Sequence, residues 1–241
     1  MKKVILTVIE NAPLNENVYK MVLKGDAEDT PGRFINIALD GLYLRRPISV
    51  CDSTGDTITI IYKVVGKGTE QLKTKTVGDK LDVLTGLGNG YDPSVDTVSP
   101  AVIGGGVGVP PLYMLTKKLV DMGKKPTVIL GFNTAKEIFY AEEFAALGVK
   151  TIVTTVDGSY GKKGFVTDAL KDIDYDYFFT CGPEPMLKAV YTQSETSGQM
   201  SFEERMGCGF GACMGCSCKT ITGYKRICKD GPVMTKEEIL W

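Results

Sequence analysis

The chain has no histidine among its 241 residues. That absence excludes a Rieske centre, a histidine-ligated haem, the usual zinc hydrolase sites and any histidine-based triad. Electron and hydride transfer survive, because they rest on cofactors and geometry rather than on a general base. Net charge is missing as well. With 28 basic residues against 29 acidic ones and no long charge run, nothing favours nucleic acid or an anionic membrane. Long apolar runs are absent too. MKKVILTVIENAP sets two lysines before an alternating stretch that meets Glu10 too early for a signal peptide or a membrane span, and it reads as a first strand. No internal repeat or low-complexity segment interrupts the chain. At 43% hydrophobic and 24% charged, the composition suits a globular protein with two domains and a small appendage. A cytoplasmic setting is expected, a reducing place that keeps thiols free.

What the chain does have is five of its seven cysteines between Cys208 and Cys228. Cys208, Cys213 and Cys216 stand in C-x4-C-x2-C spacing and Cys228 lies further on, the plant-type pattern for four thiolates holding a [2Fe–2S] cluster. The small residues among them (Gly209, Gly211, Ala212, Gly215) let backbone wrap closely and turn its N–H groups toward the sulfurs. A disulfide framework does not suit a chain without a secretory signal. A zinc site would pair two C-x2-C knuckles, and only one is present. Cys218 is the spare: using it as third ligand breaks the spacing.

Residues 1–96 carry short alternating or β-branched runs separated by Gly, Pro, Asp and Asn turns, the pattern of a small antiparallel β-barrel. Two pieces stand out. LRRPISV (Leu44 to Val50) sets two arginines before a proline and a serine on a strand. YKVVGKGTEQL runs a strand into Gly66 and Gly68, with a helix expected to start at Thr69, and such a turn suits a pyrophosphate. Either could equally be a common turn or a solvated arginine pair.

Near residue 97 the pattern becomes strand–helix alternation, as in a doubly wound parallel sheet over 97–199. A strand is expected from Ala101 to Ile103, a turn at Gly104, Gly105, Gly106 and Gly108, and a helix opening at Pro110 and Pro111. Leu112, Leu115, Leu119 and Met122 recur at helical spacing and should face the sheet. The turn is short of a full dinucleotide fingerprint, since Val109 takes the third glycine position, yet a glycine-lined helix start binds phosphate by the same physics. Further strand–helix units follow, the last with Cys181-Gly182-Pro183 at a strand end and Pro185 and Met186 opening a helix. Gly104 to Gly108, Asp157 to Tyr160 and Cys181 to Met186 should share the carboxyl rim of the sheet. MSFEERM reads as a last strand before the cysteine segment, 200–241.

Taken together and in this order, R-P-I-S, G-x-G-T, GGGVGVPPL and CGPEPM resemble the ferredoxin–NADP reductase superfamily. ERMGCGFGACMGCSCKT followed by CKDGPVM, with LGNGY and DGSYGKKGFVTD, is similar to the electron transfer subunits of NAD-dependent, type B dihydroorotate dehydrogenases, nearly end to end. The resemblance implies an FAD-binding barrel domain at 1–96, an NAD-binding α/β domain at 97–199 and a [2Fe–2S] domain at 200–241. It implies FAD contacts from Arg46, Pro47, Ile48, Ser49, Tyr62, Lys63, Val64, Gly68 and Thr69, with Arg46 toward the pyrophosphate and Ser49 near the reactive edge of the flavin. NAD(H) would meet Gly104, Gly105, Gly106, Gly108, Cys181, Gly182 and Pro183, with Ser49 and Cys181 at the hydride-transfer centre. Cys208, Cys213, Cys216 and Cys228 would hold the cluster. The implied partner is an FMN-containing catalytic subunit, in a heterotetramer of two of each, serving pyrimidine biosynthesis.

Electron counting agrees with such a chain of carriers. NADH delivers two electrons as one hydride and a [2Fe–2S] cluster passes one at a time, so a flavin, stable at three oxidation levels, is needed between them. Asn133 and Lys136 are expected near the ribose, and the lack of arginine there favours NADH. Two other readings stay open: the NAD(P)H-oxidising subunit of another multi-subunit oxidoreductase, or a non-enzymatic redox sensor.

Overall fold

A computed structural model describes all 241 residues. It divides into two compact units: Met1–Tyr91 with Glu203–Lys219 and Gly223–Val233, and Asp92–Phe202 with Thr220–Thr222 and Met234–Trp241. No helix is long and apolar enough to cross a membrane.

In the first unit, strands β1 (Lys2–Pro13), β2 (Val18–Lys24), β3 (Phe34–Ile37), β4 (Arg46–Thr54), β5 (Thr57–Lys63) and β6 (Lys80–Leu87) close an antiparallel barrel, with helix α1 (Lys67–Lys73) between the last two. The expected barrel is present. Alternation fills its interior: Leu6 and Val8, Met21 and Leu23, Ile58 and Ile60 are fully buried. Strand β3 departs from alternation, since all four of its residues are buried and both of its faces are therefore covered. Helix α1 begins at Lys67 with Gly66 as its N-cap, two residues before the expected start. Thr69 sits one turn in and its hydroxyl reaches back, accepting the N–H of Val65 (2.9 Å) and of Gly66 (3.2 Å). The other end of α1 is held by Asn11. Its Nδ2 donates to the carbonyls of Leu72 (3.0 Å), Lys73 (3.3 Å) and Lys75 (2.8 Å), at and just beyond the helix end.

The cysteine segment joins this unit through Asn89 of the LGNGY motif. Asn89 Nδ2 donates to the carbonyls of Asp230 (3.2 Å) and Val233 (2.6 Å), and its Oδ1 accepts the N–H of Val233 (3.1 Å). The backbone N–H of Asn89 adds a bond to the carbonyl of Gly231 (2.7 Å). Two motifs far apart in sequence are thus one clasp.

The second unit holds β7 (Ala101–Gly105), α2 (Pro111–Asp121), β8 (Thr127–Phe132), α3 (Ala141–Ala146), β9 (Lys150–Thr155), β10 (Lys162–Lys163), α4 (Val166–Leu170), β11 (Phe178–Cys181), α5 (Glu184–Gln193) and β12 (Gly198–Ser201). A hairpin of β13 (Ser217–Thr220) and β14 (Gly223–Arg226) follows, then β15 (Val233–Thr235). The sheet order is β10-β9-β8-β7-β11-β12-β15, with the six strands β7 through β12 parallel to one another. The chain winds outward from β7 to β10 and then returns to place β11 on the other side of β7. That reversal makes β7 and β11 the switch point of a doubly wound sheet, where a crevice opens beyond the strand ends.

Four details differ from the sequence reading. Gly104 and Gly105 belong to strand β7, and the turn is a 3-10 segment of Gly106–Gly108. Leu112, Leu115 and Leu119 are buried as expected, but α2 ends at Asp121 and leaves Met122 exposed. The strand expected at MSFEERM is Gly198–Ser201, earlier in the chain. CKDGPVM contributes an additional sheet strand, β15, that no turn signal announced.

Asp176, just before β11, accepts the N–H groups of Val98 (2.7 Å) and Ser99 (3.2 Å) and the Thr97 hydroxyl, pinning the approach to β7. Burial works to raise its carboxyl, but these donors outweigh it and hold the group below its ordinary 3.8. A depressed carboxylate contributes stability above its unfolded value and loses it as pH falls through its folded one. Asp176→Asn should lower Tm at pH 7, with the gap to wild type closing at pH below 3.8; a gap independent of pH would contradict this assignment. Asn89→Ala removes three side-chain hydrogen bonds and should cost about 2–3 kcal/mol of stability, read as a shifted urea midpoint.

Candidate functional site

The R-P-I-S motif opens strand β4. Arg46, Pro47, Ile48 and Ser49 are half-buried and pair with Ile37, Asn36, Ile35 and Phe34 of β3 in turn. Proline is tolerated here because β5 pairs with β4 only from Val50 onward. The two neighbouring arginines do different work. Arg45 is structural: its Nη2 meets Asp82 Oδ1 at 2.8 Å and its Nη1 donates to the carbonyls of Asp82 (3.0 Å) and Asn36 (3.3 Å). Arg46 instead lies across Gly68, where a Cβ would come within 2.9 Å of its Cδ and Cζ. Only glycine leaves room for that approach. A guanidinium over the opening turn of α1, whose Lys67, Gly68 and Thr69 amides precede the first helical bond from Glu70 N–H to the Gly66 carbonyl, is donor chemistry for a pyrophosphate. Thr69 adds no free hydroxyl, since its oxygen is engaged by Val65 and Gly66. Tyr62 is buried, stacked on Tyr19 at 5.9 Å, and its hydroxyl donates to Asn11 Oδ1 (2.9 Å). Burial pushes that phenol up to about 12, so it stays neutral. Lys63 is exposed, and the Val64 N–H donates to the Asn17 carbonyl (2.8 Å).

In the second unit a cavity of about 410 Å³ opens at the carboxyl ends of β7, β8, β9 and β11. Gly105, Gly106 and Pro183 line it, as does Asn133; Gly104, Gly108, Cys181, Gly182 and Lys136 do not, nor does Asp157 to Tyr160. Those non-lining glycines matter for packing. A Cβ on Gly108 would run into the backbone of Cys181 and come within 2.6 Å of Gly182 Cα, so the two loops flanking the switch point are pressed together. Cys181 ends β11 half-buried, level with Gly104 across the β7–β11 ladder. Sequence reasoning missed Glu137, Phe165, Val166, Thr167 and Met186 as cavity lining, although Met186 was placed on the rim. Glu137 is the informative one. Its Oε2 accepts from Asn133 Nδ2 (2.9 Å) and from the Asn133 N–H (3.2 Å), which hold a carboxylate beyond β8. A strand-end acid after the second strand was the available signal.

The cysteines form two pairs. Cys208 and Cys213 are reciprocally bonded: the Cys208 N–H reaches Cys213 Sγ at 3.4 Å and the Cys213 N–H reaches Cys208 Sγ at 3.5 Å. Phe210 and Ala212 add N–H groups to Cys208 Sγ at 3.4 and 3.2 Å, and Gly215 adds one to Cys213 Sγ at 3.5 Å. Cys216 and Cys228 form the second pair, with the Cys228 N–H on Cys216 Sγ at 3.4 Å. Hairpin β13–β14 explains their separation in sequence: Cys216 precedes it, Cys228 follows it, and closing the hairpin brings its two ends together. No three acidic or sulfur side chains gather as for a single metal ion. Two pairs of thiols with backbone N–H groups turned to their sulfurs fit the donor set of a two-iron cluster with four thiolates. Burial alone would raise Cys208, but the amides of Phe210, Cys213 and Ala212, together with the Cys213 thiol, bring it down to about 6. Cys228 goes the other way, to about 12, through burial and the neighbouring Cys216. Cys218 stands outside both pairs, half-buried and raised by burial.

Comparisons with known proteins agree with this layout. Residues 203–240 match the sequence model of the iron–sulfur cluster binding domain of dihydroorotate dehydrogenase B, and residues 102–192 that of an oxidoreductase NAD-binding domain. The dihydroorotate dehydrogenase B (NAD(+)) electron transfer subunit of Bacillus pumilus is 45% identical across 99% of this chain and 98% of its own, and that of Fusobacterium nucleatum 43% across 97% and 96%. Among solved structures, an NADH-dependent reduced ferredoxin–NADP oxidoreductase studied for flavin-based electron bifurcation superimposes with a TM-score of 0.90 at 29% identity, over 99% of this chain and 90% of that one. With a ferredoxin–NADP reductase-like barrel and sheet and these full-length relatives, the chain belongs to the family of dihydroorotate dehydrogenase B (NAD(+)) electron transfer subunits.

Proposed function

We propose that this chain carries electrons between an FMN-containing dihydroorotate dehydrogenase catalytic subunit and NAD, through a [2Fe–2S] cluster and FAD, in pyrimidine biosynthesis in the cytoplasm. The observation that carries the reading is the pairing of Cys208 with Cys213 and of Cys216 with Cys228 in a chain whose full-length relatives bear that name. Three modules divide the labour: 1–96 for FAD, 97–199 for NAD(H), 200–241 for the cluster. The partner assembles with it as two of each subunit.

When bound, FAD converts the hydride chemistry of NAD(H) into the single-electron chemistry of the cluster. The protein's own residues supply position and charge. Arg46 and the amides opening α1 hold the FAD pyrophosphate, Pro47, Ile48, Tyr62, Lys63 and Val64 flank the cofactor, and Ser49 is directed at its reactive edge. Gly105 and Gly106 keep the rim low enough for the NAD(H) pyrophosphate to approach, Gly104 and Gly108 let the turn pack closely behind it, and Cys181, Gly182 and Pro183 border the nicotinamide. Cys208, Cys213, Cys216 and Cys228 ligate the iron, with the turned amides stabilising the thiolates. The ferredoxin–NADP oxidoreductase likeness supports a second reading, an NAD(P)H-oxidising subunit of another assembly, and the acceptor that co-purifies with this chain decides between them.

Cys213→Ser should cost the cluster its iron and sulfide while leaving FAD bound. NADH oxidation by an artificial dye then persists, and NADH–orotate transfer in the complex with its catalytic subunit stops. Full orotate reduction by that variant would remove Cys213 from the ligand set. Glu137, beyond β8, is placed to accept a ribose hydroxyl and to repel a 2′-phosphate. Glu137→Gln should narrow the NADH-over-NADPH ratio of kcat/KM by about tenfold, since one such discrimination is worth on the order of 1–3 kcal/mol; an unchanged ratio would locate specificity elsewhere.

A further inference from the structure

The covered outer face of β3 holds one polar side chain, Asn36, exposed to only 1%. Its Nδ2 donates to the carbonyl of Cys208 at 3.4 Å, and donation to a carbonyl settles which end of the carboxamide is nitrogen. Gly209 is fitted against the same group: its φ is +78°, and a Cβ there would run into Asn36 Nδ2 and come within 3.2 Å of Asn36 Cγ. On its other flank Asn36 stands directly opposite Pro47 in the β3–β4 ladder. The Val50 N–H donates to the Arg33 carbonyl at 2.9 Å, and alternation from that bond makes Asn36–Pro47 a non-hydrogen-bonded pair, the kind in which side chains approach most closely. Asn36 therefore lies between the strand that carries Arg46–Ser49 and the first cysteine of the cluster loop.

Its Oδ1 is buried and accepts no hydrogen bond from the protein. Buried acceptors are nearly always satisfied, and an orphan costs stability until a donor arrives. FAD carries such donors, the imide N–H of its ring and the hydroxyls of its ribityl chain.

We propose that Asn36 is a positioning residue linking the two redox sites: its Nδ2 fixes the Cys208–Gly209 peptide against the flavin strand, and its Oδ1 accepts a hydrogen bond from FAD. The inference rests on the FAD and cluster assignments above. Its physical content is that the Cys208–Gly209 peptide orients the Phe210 and Ala212 N–H groups, which donate to Cys208 Sγ. Hydrogen bonds to ligand sulfurs raise a cluster's reduction potential, so loosening this peptide should make the potential more negative.

The experiment uses the full chain loaded with FAD and cluster, comparing wild type with Asn36→Leu, close in volume but without polar atoms, and Asn36→Ser, too short to reach Cys208. Two readouts are taken: FAD affinity by flavin fluorescence, and the potential and EPR spectrum of the reduced cluster. Both variants should show a more negative cluster potential, an altered EPR spectrum and FAD affinity weaker by about tenfold, the effect of one lost buried hydrogen bond. Wild-type FAD affinity, potential and EPR spectrum in a fully loaded variant would overturn the proposal and leave Asn36 as packing. Should Asn36→Leu fail to fold, Asn36→Ser carries the same test. A wild-type chain that takes up neither FAD nor cluster would instead overturn the underlying reading.

Discussion

The grip of Asn89 on the peptides around Pro232 is the interaction on which the cluster segment depends. Between Glu203 and Lys219 nearly every side chain is half-buried or exposed, and Cys216 is the only buried side chain larger than a methyl group. A stretch so poor in buried apolar surface cannot fold by the hydrophobic effect, and small units of this kind rely on metal or on a scaffold. Here the scaffold is the outer face of β3 together with the end of β6, and Asn89 ties the far end of the segment to it. Arg226 ties the near end inward: its Nε and Nη2 take both oxygens of Asp230, at 2.8 and 3.1 Å, while its Nη1 donates to the Gly211 carbonyl at 3.0 Å. Polar bonds, rather than a core, hold the cysteines in place before any iron arrives.

The same economy shapes the glycines. Gly68, Gly108 and Gly209 each stand where a neighbouring group occupies the space of a Cβ, against Arg46, the Cys181–Gly182 backbone and Asn36 respectively. In each case the neighbour belongs to a different motif, so these contacts join elements that are distant in sequence. Glycine here acts as the absence of a side chain, allowing a guanidinium, a peptide and a carboxamide to come close.

How much of this was legible beforehand follows from the range of each interaction. The barrel and the doubly wound sheet were legible because alternation, helical spacing and glycine turns are local signals. The cysteine spacing is equally local, and it announced a cluster without structural help. Boundaries failed where a side chain reached back along the chain, as Thr69 does to Val65, or where a glycine pair continued a strand, as Gly104 and Gly105 do in β7. Strand β15 and the covering of β3 were invisible because they arise from segments more than 100 residues apart, joined by carboxamides at Asn36 and Asn89 that carry no periodic signature. Glu137 was overlooked for a similar reason: Asn133 holds its carboxylate at the cavity, and the sequence reading stopped at Asn133 and Lys136.

The two cysteine pairs also differ in a way that bears on assembly. Cys208 lies in an amide-rich loop that favours its thiolate near neutral pH, whereas Cys228 is buried beside Cys216 and keeps its proton. Thiolate is the form that binds iron, so Cys208 is chemically ready while Cys228 must surrender a proton as metal arrives. The hairpin in turn is preorganised, since the Ile227 N–H already bonds to the Cys216 carbonyl at 3.1 Å and the Cys228 N–H to the Cys216 sulfur. A cluster bridging them would close the loop onto the hairpin, and so complete the fold of a segment that has almost no core of its own.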